Sequence, residues 1–140
     1  MKVVIAGANR AESLRLASMV WAAGEVSVVR VASNGADAIR PVLDEEPDVL
    51  ILGARFDPKQ GLGLLHAVRP LLPALRVIAV GDRPSNEFRR AFLLGDIDLL
   101  LAGPNRAHVI SEVLRRWQRE EGYQPWASFI EAAGKRSRTA

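Results

Sequence analysis

The chain has 140 residues, 49% hydrophobic and 25% charged, which suits one globular domain with a short appendage and excludes a multi-domain machine. Its net charge of +3 belongs to the tail: residues 1–114 carry 13 basic and 13 acidic side chains, residues 115–140 carry 6 and 3, so the body lacks the clustered basic face of a nucleic-acid-binding domain. Cysteine is absent, which removes disulfides, thiol nucleophiles and thiolate metal sites and makes the cytoplasm the expected location; the opening apolar stretch is too short for a signal peptide, and no window approaches the roughly 18 to 20 apolar residues of a membrane span.

Val3, Val4, Ile5 and Ala6 form an unbroken apolar run closed by Gly7, the pattern of a strand covered on both faces. A helix follows over Glu12–Ala23, with Leu14, Ala17, Val20 and Trp21 predicted as its inward stripe. Ser27–Val31 is β-branched and short, and Ser33 or Asn34 offers a cap for a second helix carrying Ala36, Ile39, Val42 and Leu43. After Pro47 and Asp48, the run Val49-Leu50-Ile51-Leu52 ends at Gly53 as a third strand. A loop with Phe56, Asp57, Pro58 and Gly61 leads to a helix marked by Leu62, Leu65 and Val68, and Val77–Val80 gives strand four. Phe88, Ala91, Phe92 and Leu94 mark a helix ending at Gly95, and Leu99–Leu101 a fifth strand. Asn105 is the expected cap of a last helix whose inward stripe is Val109, Ile110, Val113, Leu114 and Trp117. Five strand–helix pairs with short connections and doubly covered strands specify an α/β fold, one parallel sheet between two helical layers. Periodicity leaves the strand order open.

Several phrases narrow the choice. Ala32-Ser33-Asn34-Gly35-Ala36-Asp37-Ala38, Glu46-Pro47-Asp48-Val49-Leu50-Ile51-Leu52, Arg55-Phe56-Asp57-Pro58 and Gly61-Leu62-Gly63-Leu64-Leu65 resemble the second-helix start, third strand and following loop of response-regulator receiver domains. The resemblance covers about residues 2–119, so residues 1–119 are expected to be the receiver-like domain and residues 120–140 a C-terminal extension with a short helix and a basic tail. It implies a flavodoxin-like, three-layer fold with a five-stranded parallel sheet in order 2-1-3-4-5 and its functional end at the carboxyl ends of the strands.

The resemblance also implies aspartyl phosphorylation supported by Mg²⁺, and that chemistry needs carboxylates. Gly7 and Ala8 stand where the acidic pair is expected after strand one, and Gly53 stands at the phosphoacceptor position. Gly81 takes the place of the hydroxyl after strand four, and Ala102, or Gly103 with a shift of one, that of the lysine after strand five. The resemblance therefore implies a degenerate receiver with no catalytic residue, metal or cofactor. The small residues are expected to leave the strand ends sterically open as a shallow apolar dip, and the alternative function is small-molecule, nucleotide-binding or enzymatic use of that glycine-lined end. Gly7-Ala8-Asn9 is not a GxGxxG phosphate loop. Nearby polar groups have structural readings: Asn9 at the bend into the first helix, Asp57 in a turn with Pro58, Asp82 as cap of the fourth helix or facing water. Arg55 or Arg10 is a candidate to fold over this end in place of an ion, against simple extension into water. His66 and His108 lie on separate helices with no partner for catalysis or zinc.

Receiver domains signal through the face of helix four, strand five and helix five, so the resemblance places a protein partner or a second copy there. Arg89, Arg90, Asp96, Asp98, Arg115, Arg116 and Arg119 are its candidate charged residues, able to pair across a two-fold axis; exposed pairs are worth only about 0 to 1 kcal/mol, so apolar contact has to supply the rest. Beyond helix five, Tyr123, Trp126 and Phe129 are three of the chain's eight aromatic residues. Gly122 stops the helix, Pro125 can start another, and Trp126, Phe129 and Ile130 share one short face. That face is expected to pack on the body, with docking on a partner or a second copy, or association with a membrane surface, as the alternatives. Together these readings give a non-enzymatic, phosphorylation-independent interaction module for signalling or transcriptional control.

Overall fold

The structure, a computed structural model, describes residues 1–119 except 25, 34, 56, 104 and 105. The elements run β1 Lys2–Ala6, α1 Arg10–Trp21, β2 Ser27–Ala32, α2 Gly35–Glu45, β3 Val49–Gly53, α3 Pro58–Val68, β4 Arg76–Val80, α4 Asn86–Leu94, β5 Leu99–Leu101 and α5 Arg106–Arg119. The expected alternation is present throughout, and the sheet order is β2-β1-β3-β4-β5 with every pairing parallel.

The unbroken apolar runs form the interior of the sheet. Val3–Ala6, Val49–Leu52 and Leu99–Leu101 are inaccessible to water, as strands covered by helices on both faces must be. Helices end where the backbone cannot continue: Gly95 closes α4 at φ 91°, in the left-handed region that only glycine enters without cost. Two aspartates stitch the amino-terminal edge of the sheet. Asp48 accepts from the Lys2 amide at 2.8 Å, while its own carbonyl accepts from Arg76 N. Asp98 accepts from Val77 N at 2.7 Å and from Arg69 Nη2 at 3.0 Å.

Two helical stripes differ from the pattern expected. On α1, Leu14 and Trp21 face water at 49% and 58% exposure, and the buried face is Glu12, Ser13, Leu16, Ala17 and Val20. Leu94 of α4 is likewise 70% exposed, so Phe88, Ala91 and Phe92 carry that helix's packing. The α5 stripe is buried as expected, and Trp117 also stacks under the Arg76 guanidinium, 4.8 Å from the ring centroid, a favourable cation–π arrangement. The expected caps at Asn34 and Asn105, the loop residue Phe56, and the extension with Trp126 and Phe129 lie outside the described residues.

Candidate functional site at the carboxyl ends of the strands

Parallel strands bring the turns after β1, β3, β4 and β5 to one end of the sheet, so Gly7, Ala8, Gly53, Gly81, Ala102 and Gly103 gather there. Around Gly7, Gly53 and Gly81 this end is closed, contrary to the open dip expected from its small residues, while the space at Gly103 is open. The first turn of α1 lies flush on β1: Gly7 N and Ser13 Oγ both donate to Ala32 O, at 2.9 and 3.0 Å. A Cβ on Gly7 would stand 2.7 Å from Ser13 N, closer than van der Waals contact permits. At Gly81 the ladder continues past the strands, with Ala54 N donating to Val80 O and Gly81 N to Leu101 O. A Cβ there would meet that of Ala54 at 2.7 Å. Glycine at these positions reflects close approach of backbone.

Gly53 is different because its neighbour is a charged side chain. Glu12 is 5% exposed, and its carboxylate lies directly over Gly53: a Cβ there would be 2.5 Å from Glu12 Cδ and 2.9 Å from Oε2. The carboxylate is held by Ala8 N, which donates to Oε1 at 2.7 Å. Asn9 caps α1, its Oδ1 accepting from Glu12 N at 2.9 Å. This is a capping box in which the glutamate reaches back one residue beyond the cap, satisfying a backbone donor that would otherwise be orphaned. The spacing Asn9-x-x-Glu12 is visible in the sequence and was the signal available for this residue.

A cation is also present, supplied from α5. Arg106 Nη1 pairs with Asp82 Oδ1 at 2.7 Å and donates to Gly103 O at 2.7 Å. Gly103 adopts φ 93°, a glycine conformation that turns its carbonyl region toward this helix start. Asp82 therefore does not cap α4; Ser85 does, its Oγ accepting from Phe88 N at 3.1 Å. Asp57 caps α3 through Lys59 N. Arg55 is exposed and lines the hollow with Arg15, while the cation that pairs with an acid at the strand ends is Arg106, which the sequence reading did not single out.

Glu12, Arg15, Arg55, Gly81, Asp82 and Arg106 surround a hollow of about 20 Å³, room for about one water molecule. Sites for drug-sized molecules occupy about 300 to 1,000 Å³, so this hollow, as the described residues bound it, is too small for a nucleotide.

The charged residues expected on the far face are divided among internal contacts. Arg89 Nε donates to Pro84 O, Asp98 is committed to Arg69 and Val77 as above, and Asp96 contributes its carbonyl to Arg69 Nη2 at 2.9 Å. Arg115 and Arg116 both pair with Glu112 of their own helix, and Arg115 also donates to Ala22 O at the end of α1. Arg90 and Arg119 are exposed. Leu93 and Leu94 add exposed apolar surface to α4, at 57% and 70%.

No family model matches the chain. It is 29% identical over 115 residues to the protein-glutamate methylesterase/protein-glutamine glutaminase 3 of Geobacter sulfurreducens, covering 81% of this chain and 30% of that protein. The chain spans 28 to 30% of the length of the curated relatives it matches. Among solved structures, it superposes on the isolated REC domain of RcsB from Salmonella enterica serovar Typhimurium with a TM-score of 0.71 at 16% identity, covering 91% of this chain and 96% of that one. The signal receiver domain of a DNA-binding response regulator from Colwellia psychrerythraea gives a TM-score of 0.72 at 14% identity, covering 86% and 99%. The fold is that of a response-regulator receiver domain.

Receiver chemistry implies a divalent cation, and the side chains at the strand ends do not fit one. Mg²⁺ requires near-octahedral oxygens with one or two carboxylates. Here Glu12 is engaged by Ala8 N, Asp82 by Arg106, and Arg15 and Arg55 line the same hollow, so three guanidinium groups accompany two carboxylates. Among the described residues no group of three or more His, Asp and Glu side chains is arranged to hold a metal. No helix among them is long and apolar enough to cross a membrane.

Proposed function

We propose that this chain is a pseudo-receiver: a non-catalytic, phosphorylation-independent protein-interaction module of a cytoplasmic signalling or transcriptional pathway. The observation that carries the reading is the Glu12 carboxylate seated over Gly53 and held by Ala8 N. At the position corresponding to the phosphoacceptor there is no side chain to attack phosphorus, and the space over it is filled by the Glu12 carboxyl group. The carboxylates that would neutralise charge through Mg²⁺ are replaced by Gly7 and Ala8, and the nearby Asp82 is neutralised by Arg106. These substitutions favour a domain held in one state by its own side chains.

Output through contact with another protein, or a second copy, is favoured by the receiver fold and by the α4–β5–α5 face. The exposed Leu93 and Leu94, flanked by Arg89 and Arg90, supply the apolar contact that surface charges alone cannot replace. The engagement of Asp98 with Arg69 removes it from the interface set, leaving Arg90, Leu93 and Leu94 as the residues best placed to meet a partner.

The test is incubation of the full chain with acetyl phosphate and Mg²⁺, read by intact mass. The expected result is an unchanged mass. A phosphoryl adduct mapped to any residue at the strand ends would overturn the reading.

A further inference from the structure

At the opposite end of the sheet, the last turn of α5 overhangs a cleft of about 660 Å³, more than an order of magnitude larger than the hollow at the strand carboxyl ends. Its apolar lining comes from Met1, Ala23 and Trp117, and its polar rim from Asp48, Arg115 and Arg119. We propose that the segment Tyr123–Ile130 of this same chain seats the Trp126, Phe129 and Ile130 face in that cleft.

Three observations point to this occupant. The chain leaves the described body at Arg119, which is itself part of the cleft wall. The seven residues from there to Trp126 span at most about 24 Å, and Gly122 and Pro125 within them give the backbone a place to double back. Second, charge matches: residues 120–130 carry Glu120 and Glu121 and no Lys or Arg, and they follow directly on a rim bearing Arg115 and Arg119. Third, the cleft holds an unpaid donor. Gln118 lines it, and its Nε2 is covered from water with no hydrogen-bond partner among the described residues. A buried amide left unpaired is costly, and a segment docked in the cleft would bring acceptors to it. The aromatic face of the segment needs burial, and its size suits a cleft within the range that accepts bulky apolar groups.

Hydrogen exchange of the full chain, with light scattering at the same concentration, tests this. The amides of residues 126–130 should exchange at least about tenfold more slowly than in an unstructured peptide, in a monomer and independently of dilution. In Ala23→Arg, which fills the floor, that protection should disappear while β1 and β3 remain protected. W126A/F129A changes no residue of the described body and should speed exchange in the last turn of α5 by about tenfold. Random-coil exchange of residues 126–130 in the unaltered chain, or unchanged α5 exchange in W126A/F129A, would overturn the proposal. Protection that fades on dilution alongside a dimer would overturn it in favour of a second copy as occupant.

Discussion

Replacing Gly53 by alanine probes the contact between Glu12 and the end of β3. The added Cβ has Glu12 as its three nearest neighbours, with Cδ at 2.5 Å and Oε2 at 2.9 Å, so the carboxylate has to swing away. It is the far end of a flexible side chain, and the main loss is therefore its hydrogen bond from Ala8 N at 2.7 Å, not a crushed backbone. A hydrogen bond to a charged group contributes about 1.5 to 3 kcal/mol, offset in part when the freed carboxylate regains water. Gly→Ala at an unstrained position is by itself favourable by about 0.4 to 1 kcal/mol, through the unfolded chain. G53A should then cost about 1 to 2 kcal/mol in the native background. In an E12A background, where nothing remains to displace, it should be neutral or stabilising by up to about 1 kcal/mol. The difference, a coupling of about 1 to 3 kcal/mol, is read from urea unfolding midpoints of the four proteins in a double-mutant cycle. An equal effect of G53A in both backgrounds would refute the claim that Glu12 fills the space over Gly53.

Gly7 should respond more severely, because two of the three nearest neighbours of an added Cβ are backbone atoms of Ser13. Gly7→Ala, meeting Ser13 N at 2.7 Å, should lose about 2 to 4 kcal/mol in the same unfolding assay, and an E12A background should not rescue it. Asp98→Ala leaves Val77 N without its 2.7 Å acceptor and Arg69 without its carboxylate, and a fall of about 1 to 3 kcal/mol is expected by thermal or urea unfolding. Conversion of Leu93 and Leu94 to serine should change stability by no more than about 0.5 kcal/mol, since both are largely exposed. The same change should weaken capture of the partner or the second copy, measured by light scattering or calorimetry.

Much of the fold was legible because it rests on continuous apolar runs. Val3–Ala6 and Val49–Leu52 have one reading as strands, and a run covered on both faces implies helices on each side. The α5 stripe was equally plain, since Val109, Ile110, Val113, Leu114 and Trp117 keep one helical face. Strand order came from the resemblance alone, because every order buries the same residues.

On α1 the apolar period placed Ala17 and Val20 inward as found, and misled at Leu14 and Trp21. Ser13 and Glu12 are turned inward by a capping box and by two glycines that leave them room, which pushes Leu14 and Trp21 to the surface. A periodicity argument assigns the inward face to the most apolar residues and has no means of burying a carboxylate with its own hydrogen bond. The Asp82–Arg106 pair was out of reach for another reason: its members meet only after the turns following β4 and β5 are laid side by side. Gly7, Gly53 and Gly81 were noticed, but their meaning reversed, from empty space to close contact.

The most direct measurement of the central claim is an amide-resolved NMR titration of the full chain with Mg²⁺ and then beryllofluoride, a mimic of the phosphoryl group. The account predicts that resonances of Ala8, Glu12, Gly53, Gly81 and Asp82 remain in place through both additions. Saturable shifts at these residues, above all at Gly53 and Ala8, would mean that the strand ends accept cation and phosphoryl group, and would contradict it.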